Sequence, residues 1–145
     1  FQPHPSYETI SNAMDVGNPS NFSRMLDLYS STWNNLKEDI YGFSCDDETT
    51  KEAVAEVYNR YGYTIDPHGA VGYAAAKEYL DKNKESRVVI LETAHPAKFL
   101  DVMNKIIVET EIAIPERLGI LKDKEKRAIL LKNSFDEFKD MLMSR

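Results

Sequence analysis

The 145-residue chain has the length of one domain with a sizeable core, and 42% hydrophobic with 29% charged residues is ordinary globular composition. A formal net charge of -6 argues against a nucleic-acid surface, which needs clustered Lys and Arg, and favours small-molecule or protein partners. Cys45 is the only cysteine, so internal disulfides and cysteine-based metal clusters are excluded, and no apolar run approaches a membrane span; a cytoplasmic setting is expected.

Phe1 to Asn12 carries two prolines and no periodicity, as an extended surface segment does. Ser11 to Asn18 is dense in side-chain hydrogen bonders but interrupted by Ala13, Met14 and Val16, which predicts a partly buried polar loop. Such a loop can wall a site, and Asn12, Asp15 and Asn18 can equally serve local backbone groups. Asn18 and Pro19 then open a helix of roughly four turns, with Phe22, Met25, Leu26, Tyr29 and Trp33 along one face.

Ile40 to Cys45 reads as a short strand, and Asp46 or Asp47 caps the next helix, whose inner face is Val54, Val57, Tyr58 and Tyr61 and whose end is Gly62. Capping explains the acidic pair with fewer assumptions than Mg²⁺ binding does, and no metal site is expected. Asp66-Pro67-His68 opens another helix in the same way, after a possible brief strand at Tyr63 to Ile65. Gly69, Gly72 and Ala76 share one side of it, so something approaches its backbone closely: a helix, a sheet or a ligand.

Arg87 to Phe99 holds the chemistry. Val88 to Leu91 is a continuous apolar run of the kind found in a strand covered on both faces, and Pro96 suits the first turn of a helix burying Phe99, Val102, Met103 and Ile106. Between them lie a hydroxyl, an imidazole and an ammonium, on Thr93, His95 and Lys98, beside a helix N-terminus that favours anions. Such a turn can hold a phosphate or an aromatic cofactor, and the same residues also suit caps and solvated positions. Further on, a helical turn or two is expected after Pro115. Ser134 with Glu137 makes a capping box for a last helix with Phe135, Phe138 and Leu142 inward.

The expected fold class is therefore α/β, with helices packed on a small parallel sheet. Two clear strands make a poor sheet, which suggests a piece of a larger α/β protein.

Four motifs, in order, carry a resemblance. They are Ser11 to Asn21 (SNAMDVGNPSN), Asp46 to Thr50 (DDETT), Asp66 to Val71 (DPHGAV) and Glu92 to Phe99 (ETAHPAKF). Together they closely resemble the C-terminal third of bacterial-type threonine synthases, over essentially the whole chain. The resemblance implies a pyridoxal-phosphate (PLP) enzyme of the tryptophan-synthase β-like fold, which turns O-phosphohomoserine and water into threonine and phosphate. It implies that residues 1–145 are a single C-terminal portion of that enzyme. The Schiff-base lysine and Gly-rich phosphate loop would then belong to the N-terminal part of the same chain, and this portion alone would be inactive.

Thr93 matches the position where this fold group sets a Ser or Thr against the cofactor's pyridine nitrogen. A hydroxyl there does not hold the ring nitrogen protonated, which steers chemistry towards elimination and replacement. The resemblance puts His95 and Lys98 near the substrate's phosphate and gives no individual role to His68 or the Asn12 to Asn18 loop. A free-standing α/β phosphate-binding or regulatory domain is the alternative. It would need a further acidic acceptor at a strand end, where only Asp66 stands, followed at once by Pro67.

Overall fold

Two aspartates start the two long helices of the computed structural model, which describes residues 5–11 and 16–144. Asp46 caps α3 (Asp47–Tyr61), its Oδ1 accepting from Thr49 N at 2.8 Å, and these bonds hold its carboxyl below the ordinary range. Asp66 caps α4 (Pro67–Lys82), its Oδ1 accepting from His68 N at 2.7 Å with Pro67 in the first turn. Gly62 closes α3 at φ 65°, the left-handed conformation that glycine adopts without a Cβ penalty. The intervening turn folds α4 back on α3. A clasp on their outer side joins them: Lys77 Nζ lies 2.5 Å from Glu56 Oε2, and the Tyr73 hydroxyl donates to Glu56 Oε1 at 3.0 Å. Burial, and then the Glu56 carboxylate, push the Tyr73 hydroxyl up to about 12.

Before these helices come α1 (Phe22–Leu28) and α2 (Trp33–Asp39); after them come a 3-10 turn (Pro96–Phe99), α5 (Leu100–Ile106), α6 (Glu116–Gly119) and α7 (Phe135–Met143). The expected single helix through Trp33 is broken in two. Ser30 and Ser31 take φ values of 49° and 54°, and Ser31 N donates to Leu26 O at 2.7 Å, which turns the chain before α2 restarts it. The polar loop predicted over Ser11 to Asn18 falls partly on residues 12–15, outside the described residues.

The chain gathers into two compact units, Phe1–Ala113 and Ile114–Arg145. The core of the first is Ala53, Val54 and Val57 of α3, Ile65 and Ala70 around the start of α4, and Ala97, Phe99, Met103, Ile107 and Ile112 from the 3-10 turn onward. Tyr61, expected on the inner face of α3, is exposed. In the second unit α6 follows Pro115 as expected, and Ser134 Oγ accepts from Glu137 N at 3.4 Å at the start of α7. Phe135, Phe138 and Leu142, expected inward, are exposed.

The expected α/β class does not hold: among the described residues there are helices and no strand, hence no parallel sheet. Ile40 to Cys45, Tyr63 to Ile65 and Val88 to Leu91 are irregular chain. The physical reason is that a helix satisfies its hydrogen bonds within its own segment, whereas a strand needs a second backbone about 4.8 Å away. No such partner stands beside these segments among the described residues.

Val88 to Leu91 still alternates with a period of two. Val88 and Ile90 are 40% and 36% exposed, but Val89 and Leu91 are 83% and 77% exposed. One side leans on α4 and the other is open, so the expectation of cover on both faces fails as well. The close approach that Gly69 and Gly72 foretold is this segment. A Cβ on Gly72 would meet Ile90 Cγ2 at 3.2 Å, and one on Gly69 would meet the Glu92 carboxylate at 2.7 Å. Among the described residues no helix is long and apolar enough to cross a membrane.

Candidate active-site turn

The turn from Glu92 to Phe99 is anchored at both ends. At its far end Ala97 and Phe99 are buried in the core, and the His68 ring stands edge-on to Phe99 with centroids 5.3 Å apart. This ties the first turn of α4 to the 3-10 turn. At its near end Glu92 Oε1 accepts from Asp66 N at 3.1 Å, again at the start of α4. Between these anchors Thr93, His95 and Lys98 are all exposed.

Each of the three does something different. No described residue hydrogen-bonds the Thr93 hydroxyl, which leaves a neutral donor and acceptor available at the head of the turn. His95 is the cap of the 3-10 turn, its Nδ1 accepting from Ala97 N at 3.1 Å. An uncharged imidazole accepting at Nδ1 carries its proton on Nε2, so one donor remains. Lys98 forms no ion pair with a described residue. It lines a cleft of about 690 Å³ with Glu8, Thr9, Ile10, Asp47 and Asp101, a lining that does not include Thr93 or His95.

The expected helix N-terminus beside the turn is weaker than the sequence suggested. A four-residue 3-10 turn leads into a seven-residue helix, and His95 already occupies the Ala97 amide. An anion here would rest on side chains more than on a helix end. The acidic pair is likewise committed, Asp46 to Thr49 and Asp47 Oδ1 to Ile10 N at 3.1 Å. No group of three or more His, Cys, Asp or Glu placed to hold a metal occurs among the described residues.

Glu92 is a residue whose role the sequence did not reveal. Burial, followed by hydrogen bonding with Asp66, pushes its carboxyl up to about 7. Burial, and then the neighbouring Glu92 carboxyl, raises the Tyr63 hydroxyl. The one signal available in the sequence was Gly69, in the first turn of α4, where a side chain would collide with the Glu92 carboxylate.

Comparisons with known proteins point in one direction. The family described as "Threonine synthase, C-terminal" matches residues 69–142. A threonine synthase of Buchnera aphidicola subsp. Schizaphis graminum is 35% identical over 148 residues, covering 100% of this chain and 33% of that relative. One of Escherichia coli (strain K12) is 34% identical over 144 residues, covering 99% of the chain and 32% of the relative. In fold, the chain is similar to a PLP-bound threonine synthase from Brucella melitensis, with a TM-score of 0.70, 23% identity, and 99% of this chain and 35% of the other covered. The chain thus spans about a third of the length of the relatives it matches.

Proposed function

Because the chain belongs to the threonine synthase family, through the C-terminal region that residues 69–142 match, we propose that it forms the C-terminal part of a PLP-dependent lyase. That enzyme would convert O-phosphohomoserine and water into threonine and inorganic phosphate. Residues 1–145 act as a single C-terminal portion, completed by the N-terminal part of the same chain, in the cytoplasm.

The observation that carries this reading is the Glu92 to Phe99 turn, anchored at both ends, which presents a neutral hydroxyl and an ammonium that no described residue pairs. That donor set fits the cofactor. PLP supplies an electron sink, and Thr93 would hold its pyridine nitrogen through a hydroxyl that leaves the ring uncharged at that atom. Lys98 would bind the substrate's phosphate by charge, with His95 offering Nε2–H to the same group.

The test is phosphate release from O-phosphohomoserine by the purified full-length protein. PLP-dependent production of threonine and phosphate in equal amounts is expected. A full-length protein that binds PLP but leaves O-phosphohomoserine intact would overturn the reading.

A further inference from the structure

Asp66 is fully buried, and its two carboxylate oxygens have different fates. Oδ1 accepts from His68 N, whereas Oδ2 has no hydrogen-bond partner among the described residues. A buried acceptor left unpaired is costly, so a donor at this place is to be expected. The side chain held against Asp66 is Glu92, whose Oε1 accepts from Asp66 N at 3.1 Å and whose carboxyl interacts with that of Asp66. Both Glu92 oxygens lie over Gly69, within 2.9 Å of where a Cβ would stand, so the carboxyl is turned inward although the residue as a whole is exposed. Two ionised carboxylates side by side would repel each other.

We propose that Glu92 is a positioning residue, protonated so that its acid O–H donates to Asp66 Oδ2 while its Oε1 accepts from Asp66 N, which fixes the segment carrying Thr93 to the first turn of α4. The role of Thr93 rests on the function proposed above; the carboxyl pair stands without it.

The surroundings favour a shared proton over a salt bridge. Glu92 lines a cleft with Val57, Tyr61, Tyr63, Ile65, Tyr73 and Ile90, three tyrosines and no cation. The titratable groups acting on the Glu92 carboxyl are Tyr63, on the α3–α4 connection, and Asp66, at the cap of α4. Lys77 is engaged with Glu56, and His68 contributes its backbone N–H while its ring faces Phe99.

The pH dependence follows from the direction of the shift. The Glu92 carboxyl titrates near 4.5 in an unfolded chain and near 7 here, so the folded state binds the proton more tightly. Its contribution to stability is complete below the unfolded value, falls as the pH rises between the two, and is gone above about 7.

In the full-length protein, thermal unfolding of wild type, Glu92→Gln and Glu92→Ala from about pH 5 to about pH 8 tests the proposal. Gln reproduces both bonds with a neutral amide, donating through Nε2. Wild type should lose roughly 5 °C in Tm across this window relative to Glu92→Gln, and Glu92→Ala should be the less stable variant throughout. Isotope-edited infrared spectra with ¹³C-labelled glutamate should show, at pH about 6, a protonated carboxyl band that Glu92→Gln abolishes. Parallel Tm profiles for wild type and Glu92→Gln, or the absence of that band, would overturn the proposal. Neither readout uses the cofactor, so failure of the pair and failure of the PLP reading are told apart. In the holoenzyme at pH about 6, where wild-type Glu92 is protonated, Glu92→Ala should lower kcat and Glu92→Gln restore it, whereas two equally impaired variants would deny Glu92 its positioning role.

Discussion

At the scale of single residues, Thr93 and Lys98 differ in what their loss should do. The Thr93 hydroxyl has no described partner in the protein, so Thr93→Val removes no internal hydrogen bond while keeping the side chain's shape. If that hydroxyl serves the reacting cofactor, turnover of the full-length enzyme should fall roughly tenfold or more, the equivalent of about 1.4 kcal/mol in the transition state. Thr93→Ser should retain most of the activity, and cofactor absorption spectra should follow the same order. A valine variant with unchanged kcat and an unchanged spectrum would remove Thr93 from the site. Lys98 forms no ion pair within its cleft, and its proposed duty is to hold the substrate's phosphate in ground state and transition state alike. Lys98→Ala should therefore raise KM for O-phosphohomoserine and leave kcat nearly unaltered, which steady-state kinetics would register.

At the scale of elements, the signals that could be read from the sequence were those that act over a few residues. Asp46, Asp66 and Ser134 cap the helices they were expected to cap, and Gly62 ends α3 in the left-handed conformation. Gly62→Ala should cost about 1–2 kcal/mol because that conformation crowds a Cβ, whereas Gly42→Ala, with nothing within 4 Å of the added atom, should cost little. Urea unfolding of the two variants makes the comparison. Met103→Ala, at a position with no solvent exposure, should cost about 2–5 kcal/mol in the same measurement. What failed were inferences that need a distant partner. The apolar run Val88 to Leu91 marks a chain that prefers burial, yet nothing in those residues states which backbone pairs with them. Phe135, Phe138 and Leu142 obey helical spacing, and their exposure shows that an amphipathic face specifies a need for cover without supplying it. The candidate turn was legible as a cluster because Thr93, His95 and Lys98 lie within six residues. The Asp66–Glu92 pair was not, because it joins positions 26 residues apart.

At the scale of the whole molecule, the exposed apolar residues have a direction. Val89 and Leu91 are 83% and 77% exposed, directly before the turn that holds Thr93, whereas their neighbour Ile90 approaches Gly72 of α4. The chain spans about a third of the relatives it matches, so the proposed cover for Val89 and Leu91 is the remaining part of the same polypeptide. Charge placed there discriminates between a solvated surface and a covered one. Val89→Asp and Leu91→Asp leave the closest approaches to α4 intact, because those are made by Ile90 at Gly72 and by Glu92 at Gly69, so the isolated chain should unfold within about 0.5 kcal/mol of its parent. In the full-length protein the same carboxylates would have to be buried without partners. Several kcal/mol of destabilisation, loss of PLP retention and loss of threonine formation are then expected. Double-charged full-length protein that melts with the wild type and turns over O-phosphohomoserine at the wild-type rate would show this face to be solvent-exposed, and the rest of the enzyme would have to meet this portion elsewhere.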